Sequence, residues 1–234
     1  MSLSDMFLHK KMIVELVQKT DAKIILELGV RSIKKDNDST STHIFYETLK
    51  NLHGGDCSLY SCDMLFPKEE EYLIEDMKKS KIWHFFVGDD RDQFLSIKKM
   101  LEQKKQKIDI LFIDTYKNYE LTKFELENYT KLLSNDGIIL MHDVGVFLGS
   151  ELERRPDWMG HDRAVMEFLK TTDFKLRAQL GSYNMAVLFR DTEHLNGVEI
   201  DNDLKYNRNR QPVSQEWCTR RREDFAASWG VFEK

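Results

Sequence analysis

The chain has 234 residues, of which 41% are hydrophobic and 32% are charged, and its formal net charge is −5. These values suit one folded α/β domain with additions, and the negative charge argues against a protein that binds nucleic acid mainly by neutralising phosphates. No apolar run reaches the roughly 18 residues that a membrane span needs. The N-terminal sequence MSLSDMFLHKK lacks the apolar core of a signal peptide, so no membrane association is expected.

The three cysteines, Cys57, Cys62 and Cys218, form no CxxC pair and no spacing that is typical of metal ligands. Thiols in such positions are typical of proteins that work in a reducing compartment. We therefore expect a cytoplasmic protein with reduced cysteines.

The N-terminal region, residues 1–20, predicts an amphipathic helix from about residue 4 to 19, because its apolar side chains fall on one side of a helical wheel. We expect this helix to cover a sheet edge or a partner subunit, which makes a homodimer a reasonable expectation. An apolar strand follows at residues 23–29 and closes on Glu27 and Gly29. Glycine there lets the backbone approach a ligand, and the acid can accept hydrogen bonds from hydroxyls or an ammonium.

The loop after this strand is poor in glycine. Arg31 stands where a further glycine would be expected, and the dinucleotide fingerprint G-x-G-x-x-G is absent. Ser39, Thr40 or Ser41 could cap the next helix, whose first N–H groups would then point at a ligand.

Two further predicted strands close on acidic residues. The first, at residues 57–62, ends at Asp63, and an acid at this position commonly binds the two hydroxyls of a ribose. The alternative is that Asp63 caps a helix or braces a turn. The second strand, at residues 83–87, is followed by Asp89 and Asp90.

Residues 107–144 predict strand, loop, helix, turn and strand. The first strand, at 109–113, is a short apolar run typical of a parallel sheet, and it stops at Asp114. The sequence Asn-Asp-Gly at 135–137 predicts the turn that ends the helix. A second buried strand is predicted at 138–141.

This second strand ends at His142 and Asp143. In an open α/β sheet, ligands bind outside the carboxyl ends of the strands. We therefore expect Asp114, His142 and Asp143 to face one shared crevice.

Beyond residue 144 the pattern is less regular. The loop at 145–160 carries Trp158 and is long enough to be a lid or a substrate wall. Strands at 174–178 and 184–189 are expected to pair antiparallel at one sheet edge. The polar segment 191–234 contains interspersed aromatic residues, which predict a tail that docks on the domain or on a partner.

Together the elements predict one domain over residues 1–190, followed by the tail at 191–234. The expected fold is Rossmann-like and doubly wound, with a mostly parallel seven-stranded sheet. Helices should cover both faces of the sheet, and an antiparallel hairpin should form one edge.

The order of the strand ends resembles that of class I S-adenosylmethionine-dependent methyltransferases. The ends that carry the resemblance are Glu27-Leu28-Gly29, Asp63, Gly88-Asp89, Asp114, Asn135-Asp136-Gly137 and His142-Asp143. The segment FIDTYKNYE is similar to F-I-D-G-D-H-S-Y-E of a small-molecule group that includes sugar and macrolide O-methyltransferases and a cephalosporin-biosynthesis relative. The resemblance covers about residues 23–190.

The resemblance implies S-adenosylmethionine as cofactor and a hydroxyl on a small molecule or sugar as methyl acceptor, in the synthesis of a natural product or a surface glycan precursor. It implies that the first strand end and its loop surround the amino acid part of the cofactor. Asp63, after the second strand, would hold the ribose. Asp89 or Asp90, after the third strand, would lie near adenine, and Asp114, after the fourth, would face the sulfonium. In this order the residues are Glu27, Gly29, Arg31, Ser39, Thr40, Asp63, Asp89, Asp90 and Asp114.

Methyl transfer from a sulfonium is an in-line displacement, so the protein must align the nucleophile, the methyl group and the sulfur. An alcohol keeps its proton at neutral pH, and a positioned base or a divalent cation has to assist. Lys117 and His142 are candidate bases, while Asp114 and Asp143 could coordinate Mg²⁺ through oxygen. The residues that could line the acceptor pocket are Tyr116, Trp158 and His161.

Other interpretations stay open. A nicotinamide-dependent oxidoreductase would use Asp63 in the same way, although it should carry the glycine-rich fingerprint. In a cofactor-binding protein without catalysis, such as an assembly partner, the candidate catalytic residues would be inessential. Lys117 could then be a solvated loop lysine, and Asp143 could simply brace its loop.

Overall fold

The computed structural model describes residues 3–30, 40–65, 71–144, 159–179 and 185–190. The predicted tail at 191–234 and most of the predicted loop at 145–160 lie outside the described residues. Every helix within the described ranges is too short or too polar to span a lipid bilayer.

Helices and strands alternate along the described part of the chain. In chain order they are α1 (Leu3–Lys19), β1 (Ile24–Leu28), α2 (Ser41–His53), β2 (Ser58–Asp63), α3 (Glu71–Lys79), β3 (Trp83–Val87), α4 (Asp90–Lys104), β4 (Ile108–Ile113), α5 (Tyr119–Tyr129), β5 (Leu133–Met141), α6 (Met159–Thr171), β6 (Lys175–Gln179) and β7 (Ala186–Phe189). A short 3₁₀ turn, Thr130–Leu132, joins α5 to β5.

The strands form one seven-stranded sheet in the order β3-β2-β1-β4-β5-β7-β6. The first five strands in this order pair in parallel, whereas β7 pairs antiparallel with both β5 and β6. This architecture confirms the predicted fold, including the antiparallel hairpin at one edge. Strand order reverses between β1 and β4, which is the place where open α/β sheets form a ligand crevice.

Each buried strand supplies side chains to both faces of the sheet, because successive side chains point in opposite directions. Ile110 and Phe112 of β4 pack with α1, α2 and α3 in one hydrophobic core. Leu111 and Ile113 of the same strand pack with α4, α5 and α6 in the other. The continuous apolar runs of the sequence follow from this burial on both faces.

One segment differs from the sequence predictions. Residues 135–137 lie within β5 rather than in a turn that ends the preceding helix. The pairing of β4 with β5 shifts register between Ile108 and Ile110, so the Asn-Asp-Gly sequence forms an irregular start of the strand. The N-terminal helix α1 packs against α2 and contributes to the first core.

A single carboxylate fixes the amino-terminal edge of the sheet. Oδ2 of Asp109, on β4, accepts the backbone N–H groups of Lys23 and Ile24, each at 2.9 Å, where β1 begins. Its other oxygen accepts the hydroxyl of Ser134, on β5, at 3.3 Å. Asp109 therefore sets the register of three neighbouring strands at the edge opposite the crevice.

Replacing Asp109 by Ala should lower the free energy of unfolding by about 2–3 kcal/mol, because two partly buried N–H donors lose a charged acceptor. Asp56→Ala is the matched control: this exposed carboxylate pairs with Lys23 Nζ at 2.9 Å, and removing it should change the stability much less, because water screens the pair. Denaturant unfolding at neutral pH measures both variants. Equal losses would contradict the bracing role of Asp109.

Candidate active site

The carboxyl ends of the central strands border a cavity of about 350 Å³. Pockets for small molecules and cofactors commonly have volumes of about 300–1,000 Å³. Most of the sequence-predicted cofactor residues that the structure describes lie in the lining. The lining residues are Gly29, Cys62, Asp63, Met64, Gly88, Asp89, Asp90, Arg91, Asp114, Thr115, Tyr116, Asn118 and Leu121.

Hydrogen bonds between the neighbouring parallel strands align their carboxyl ends at one edge of the sheet. The N–H of Gly29 donates to the carbonyl of Cys62 at 2.9 Å, and the N–H of Asp114 donates to that of Leu28 at 2.8 Å. Likewise, the N–H of His142 donates to the carbonyl of Ile113 at 3.0 Å. The polar residues that follow β1, β4 and β5 are therefore neighbours in space.

Gly29 meets a strict steric requirement at the first of these ends. Its φ is +89°, and a Cβ atom at this position would collide with the carbonyl oxygen of Asp114. A side chain would push apart the turns that follow β1 and β4. The close approach predicted for this glycine is thus an approach between two segments of the crevice wall.

Asp63 has both a structural partner and a face toward the cavity. Its Oδ2 accepts the N–H of Val30 at 2.6 Å, which fixes the turn after β1. Among the described residues, its Oδ1 receives only a long contact, 3.3 Å, from the N–H of Leu65. The second oxygen therefore keeps acceptor capacity for a ligand hydroxyl.

Asp89 caps α4 and binds Arg91, a residue that the sequence analysis did not single out. Oδ1 accepts the backbone N–H and Nε of Arg91, both at 2.9 Å, and Oδ2 accepts Nη2 at 2.7 Å. The hydrogen bond from this guanidinium lowers the pKa of Asp89 to about 2. The end of the cavity near β3 thus carries an ion pair of Asp89 and Arg91.

Glu27 does not line the cavity. Its carboxylate is fully buried and accepts the hydroxyls of Ser41 at 2.5 Å, Thr42 at 2.7 Å and Ser61 at 2.9 Å. Ser61 Oγ in turn accepts the indole N–H of Trp83 at 3.0 Å. Burial raises the pKa of Glu27 to about 7, although the three hydroxyls oppose this shift. Glu27 thus ties β1 and β2 to the start of α2, and its contact with the cofactor stays a prediction.

Thr40 precedes α2 with the extended backbone of an N-cap, yet its side chain makes no capping bond. Within the ranges that the structure describes, its buried Oγ1 has no hydrogen-bond partner. The predicted cofactor residues Arg31 and Ser39, and the predicted acceptor residue Trp158, lie outside the described residues.

The four predicted catalytic residues form one cluster. Nζ of Lys117 lies 2.9 Å from Oδ1 of Asp114, and Nδ1 of His142 lies 3.3 Å from the same oxygen. The imidazole Nδ1 is also 3.1 Å from Oδ2 of Asp143. Lys117 is only 4% exposed, so it is not the solvated loop lysine of the alternative interpretation.

The charges in this cluster stabilise one another. Burial by itself would raise the pKa of Asp114, but the positive charges of Lys117 and His142 outweigh it and lower this pKa. Burial would lower the pKa of His142, but Asp114 and Asp143 outweigh it and raise this pKa to about 9. This raised pKa favours the protonated form of His142 at neutral pH, and the role of His142 as a base stays a prediction.

A divalent cation would fit between the same side chains. Ligand atoms of Asp114, His142 and Asp143 all lie within 4.8 Å of one another. Two carboxylates and one imidazole form a donor set that binds divalent metals once the imidazole has lost its proton. The structure thus adds His142 to the two predicted ligands, while Lys117 shares one oxygen of Asp114.

The two described candidates for the acceptor pocket have different positions. Tyr116 is 61% exposed and lines the cavity. His161 is buried between α5 and α6, where its Nδ1 lies 2.8 Å from Oγ1 of Thr122. Burial, together with the positive charge of Lys117, lowers the pKa of His161 well below its usual value. His161 is therefore not part of the lining of the described cavity, and its place in the acceptor pocket stays a prediction.

The sequence analysis missed Glu125, which lies below the cavity and accepts the hydroxyl of Thr115 at 2.5 Å. The signal was present in the spacing, because Glu125 stands between Leu121 and Tyr129 at intervals of four residues on the buried face of α5. An acid on an apolar helix face is a sign of a buried polar contact.

Residues 40–144 match the sequence model of a family described as a methyltransferase domain. A search of curated proteins found no match. Solved structures of similar fold include the apo form of CalS11, a TDP-rhamnose 3′-O-methyltransferase of calicheamicin biosynthesis. It is 19% identical, with a TM-score of 0.56, and the match covers 81% of this chain and 80% of that chain.

Two further solved structures share the fold. An O-methyltransferase from Bacillus cereus, in complex with SAH, is 16% identical, with a TM-score of 0.52 and coverage of 80% of both chains. TomG from Streptomyces achromogenes, an O-methyltransferase of tomaymycin synthesis in complex with SAM, is 14% identical, with a TM-score of 0.53 and coverage of 82% of both chains.

The chain shares its fold with these solved O-methyltransferases, and a crevice lies at the switch point of its sheet. The family match at residues 40–144 includes four of the strands, from β2 to β5, and the two predicted catalytic acids Asp114 and Asp143. The predicted resemblance to class I S-adenosylmethionine-dependent methyltransferases is thereby confirmed.

Replacing Gly29 by Ala should reduce the free energy of unfolding by about 2 kcal/mol or more. Alanine is strained at this positive φ, and its methyl group would collide with the turn after β4. Gly55→Ala is the control, since a Cβ atom there meets nothing within 4 Å. Thermal unfolding of both variants measures the difference. An unchanged midpoint for Gly29→Ala would show that the two turns do not need this close approach.

Proposed function

We propose that this chain is an S-adenosylmethionine-dependent methyltransferase that methylates a hydroxyl on a small molecule or sugar, such as a natural product or a surface glycan precursor. The observation that carries the proposal is one crevice that joins the cofactor residues Gly29, Asp63 and Asp89 to the charged cluster around Asp114. The family match and the shared fold support the same reaction class.

When bound, S-adenosylmethionine supplies a methyl group on a positively charged sulfur. Asp63 would accept the ribose hydroxyls through its weakly engaged Oδ1. Asp89 or Asp90 would lie near adenine, and Thr40 would hold the amino acid end with its free hydroxyl. The carboxylate of Asp114 would face the positive sulfur, which favours binding of the charged cofactor over the neutral product.

The charged cluster would act on the acceptor hydroxyl. Lys117 and His142 both lie within 3.3 Å of one oxygen of Asp114, so an acceptor oxygen beside this carboxylate could meet two N–H donors. Such donors stabilise negative charge that develops on oxygen. Lys117 or His142 would also take the hydroxyl proton, once it has given its own proton away.

A divalent cation such as Mg²⁺ would be held by Asp114, Asp143 and His142, and it would supply Lewis acidity that lowers the pKa of the acceptor hydroxyl. The convergence of the three ligand atoms supports this part of the proposal. The buried Lys117 would supply a second positive charge beside the same carboxylate.

We also propose that the protein is a cytoplasmic homodimer. Cys57 and Cys62 are buried, unpaired thiols, as suits a reducing compartment. Burial raises the pKa of Cys62 to about 12, so this thiol stays protonated beside the cavity. Light scattering of the purified protein would determine the oligomeric state.

Calorimetric titration with S-adenosylmethionine and, separately, NAD(H) tests the cofactor. Binding of S-adenosylmethionine in the micromolar range is expected, and Asp63→Ala should weaken it by about tenfold or more through the loss of a charged hydrogen bond. Asp92→Ala removes an exposed acid in the first turn of α4 and should leave the affinity unchanged. Binding of NAD(H) alone would favour the oxidoreductase, and no heat from either ligand with folded protein would contradict the proposal.

Turnover of hydroxylated sugars, measured with and without Mg²⁺ and with EDTA, tests the catalytic cluster. Lys117→Met and His142→Gln should each reduce kcat by about 10²–10⁴-fold, as expected for acid–base groups, while the affinity for S-adenosylmethionine changes little. Lys131→Met, at an exposed position, is the control. Full turnover in both variants would show that the cluster takes no part in the reaction. Activity that EDTA leaves unchanged would show that the reaction needs no metal ion.

A further inference from the structure

A pair of acidic side chains is buried below the cavity, between α4 and α5. Glu125 of α5 is 0% exposed and Asp90 of α4 is 7% exposed. The two carboxyl groups are near enough to influence each other's pKa. The other oxygen of Glu125, Oε1, accepts the hydroxyl of Thr115 at 2.5 Å.

This pair needs a proton. Oδ2 of Asp90 and Oε2 of Glu125 are both buried, and no N–H or O–H donor of the described residues reaches either atom. Two ionised carboxylates that are buried side by side would repel each other, because no water screens their charges. A proton shared between them replaces this repulsion by a hydrogen bond. Burial and the neighbouring Asp90 both raise the pKa of Glu125 well above its usual value, which agrees with this geometry.

The surrounding charged groups do not replace that proton. Asp89 on α4 is a further acid, and the Cys62 thiol at the end of β2 and the Tyr129 hydroxyl on α5 are neutral neighbours. Lys117, in the neighbouring loop, acts on Glu125 as a cation, and its ammonium is already paired with Asp114 at 2.9 Å. The hydroxyl of Tyr129 donates to the backbone carbonyl of Asp90, not to its side chain.

The partners of Glu125 belong to two different walls of the cavity. Thr115 follows Asp114 in the turn after β4, and Asp90 follows Asp89 at the start of α4. Both partners line the cavity, whereas Glu125 lies behind them. Glu125 therefore joins the wall beside the charged cluster to the wall at the β3 end.

We propose that Glu125 is a positioning residue of the crevice: it holds one proton against Asp90, accepts the hydroxyl of Thr115, and so fixes the distance between two cavity walls. The identity of the ligand that benefits, S-adenosylmethionine, rests on the proposed function. The buried proton itself does not, because it is a property of the protein without ligand.

The stability of the ligand-free protein tests the proton. The unfolded chain releases this proton near pH 4, the ordinary range for Glu, while the folded pair keeps it. The stabilisation from the pair is thus complete below that pH and is lost as the pH rises through the raised folded-state pKa. In that interval each pH unit should raise the unfolding constant of the wild type by up to about tenfold relative to Glu125→Gln, whose amide has no proton to lose.

Glu125→Gln is the informative variant, because its amide N–H₂ can donate to Asp90 while its carbonyl oxygen accepts the hydroxyl of Thr115. Glu127→Gln makes the same change at an exposed position of α5 and should keep the pH dependence of the wild type. Other groups that titrate, such as Glu27 and His142, contribute equally to all these proteins. The proposal is overturned if Glu125→Gln and the wild type lose stability with rising pH in the same way.

Affinity for S-adenosylmethionine tests the positioning. At neutral pH, Glu125→Gln should bind within about threefold of the wild type, whereas Glu125→Ala, which releases both partners, should bind about tenfold more weakly or worse. An equal loss of affinity in the two variants would show that Glu125 only fills space and does not position the cavity walls. If the wild type itself does not bind S-adenosylmethionine, the proposed function fails, and the stability measurement still decides whether the pair holds a proton.

Discussion

Carboxylates that leave water must find donors, cations or a proton, and the crevice depends on how each acid at the strand ends meets this requirement. Glu27 receives three hydroxyls, and Asp89 receives the guanidinium of Arg91. Asp114 has an ammonium and an imidazolium as neighbours. These different partners give the carboxyl groups different pKa values, about 7 for Glu27 and about 2 for Asp89.

The same contacts fix the shape of the crevice, because nearly every partner comes from another element. Asp63, at the end of β2, fixes the turn after β1 through the N–H of Val30. Glu27 connects β1 and β2 with α2, and Glu125 connects the turn after β4 with α4. A cavity built in this way is arranged before any ligand arrives, which reduces the entropic cost of binding.

The sequence predicted the strands and the acids at their ends, because hydrophobic runs and the residues that terminate them are local signals. It could not predict partners, since Ser61 is 34 residues from Glu27 and His161 is 39 residues from Thr122. The cationic state of His142 likewise follows from two acids that only the folded sheet places beside it. Local signals also failed at residues 135–137, which lie in the irregular start of β5, between its pairs with Ile108 and Ile110 of β4.

The hydrogen bond from Trp83 to Ser61 gives this chain an internal optical reporter. Of the four tryptophans in the sequence, Trp83 is the one within the described residues. Its indole donates to the same Ser61 hydroxyl that donates to Glu27. Protonation of Glu27 would weaken its hydrogen bond to that hydroxyl and change the electric field at the indole ring, so we expect the emission of Trp83 to depend on the charge of Glu27.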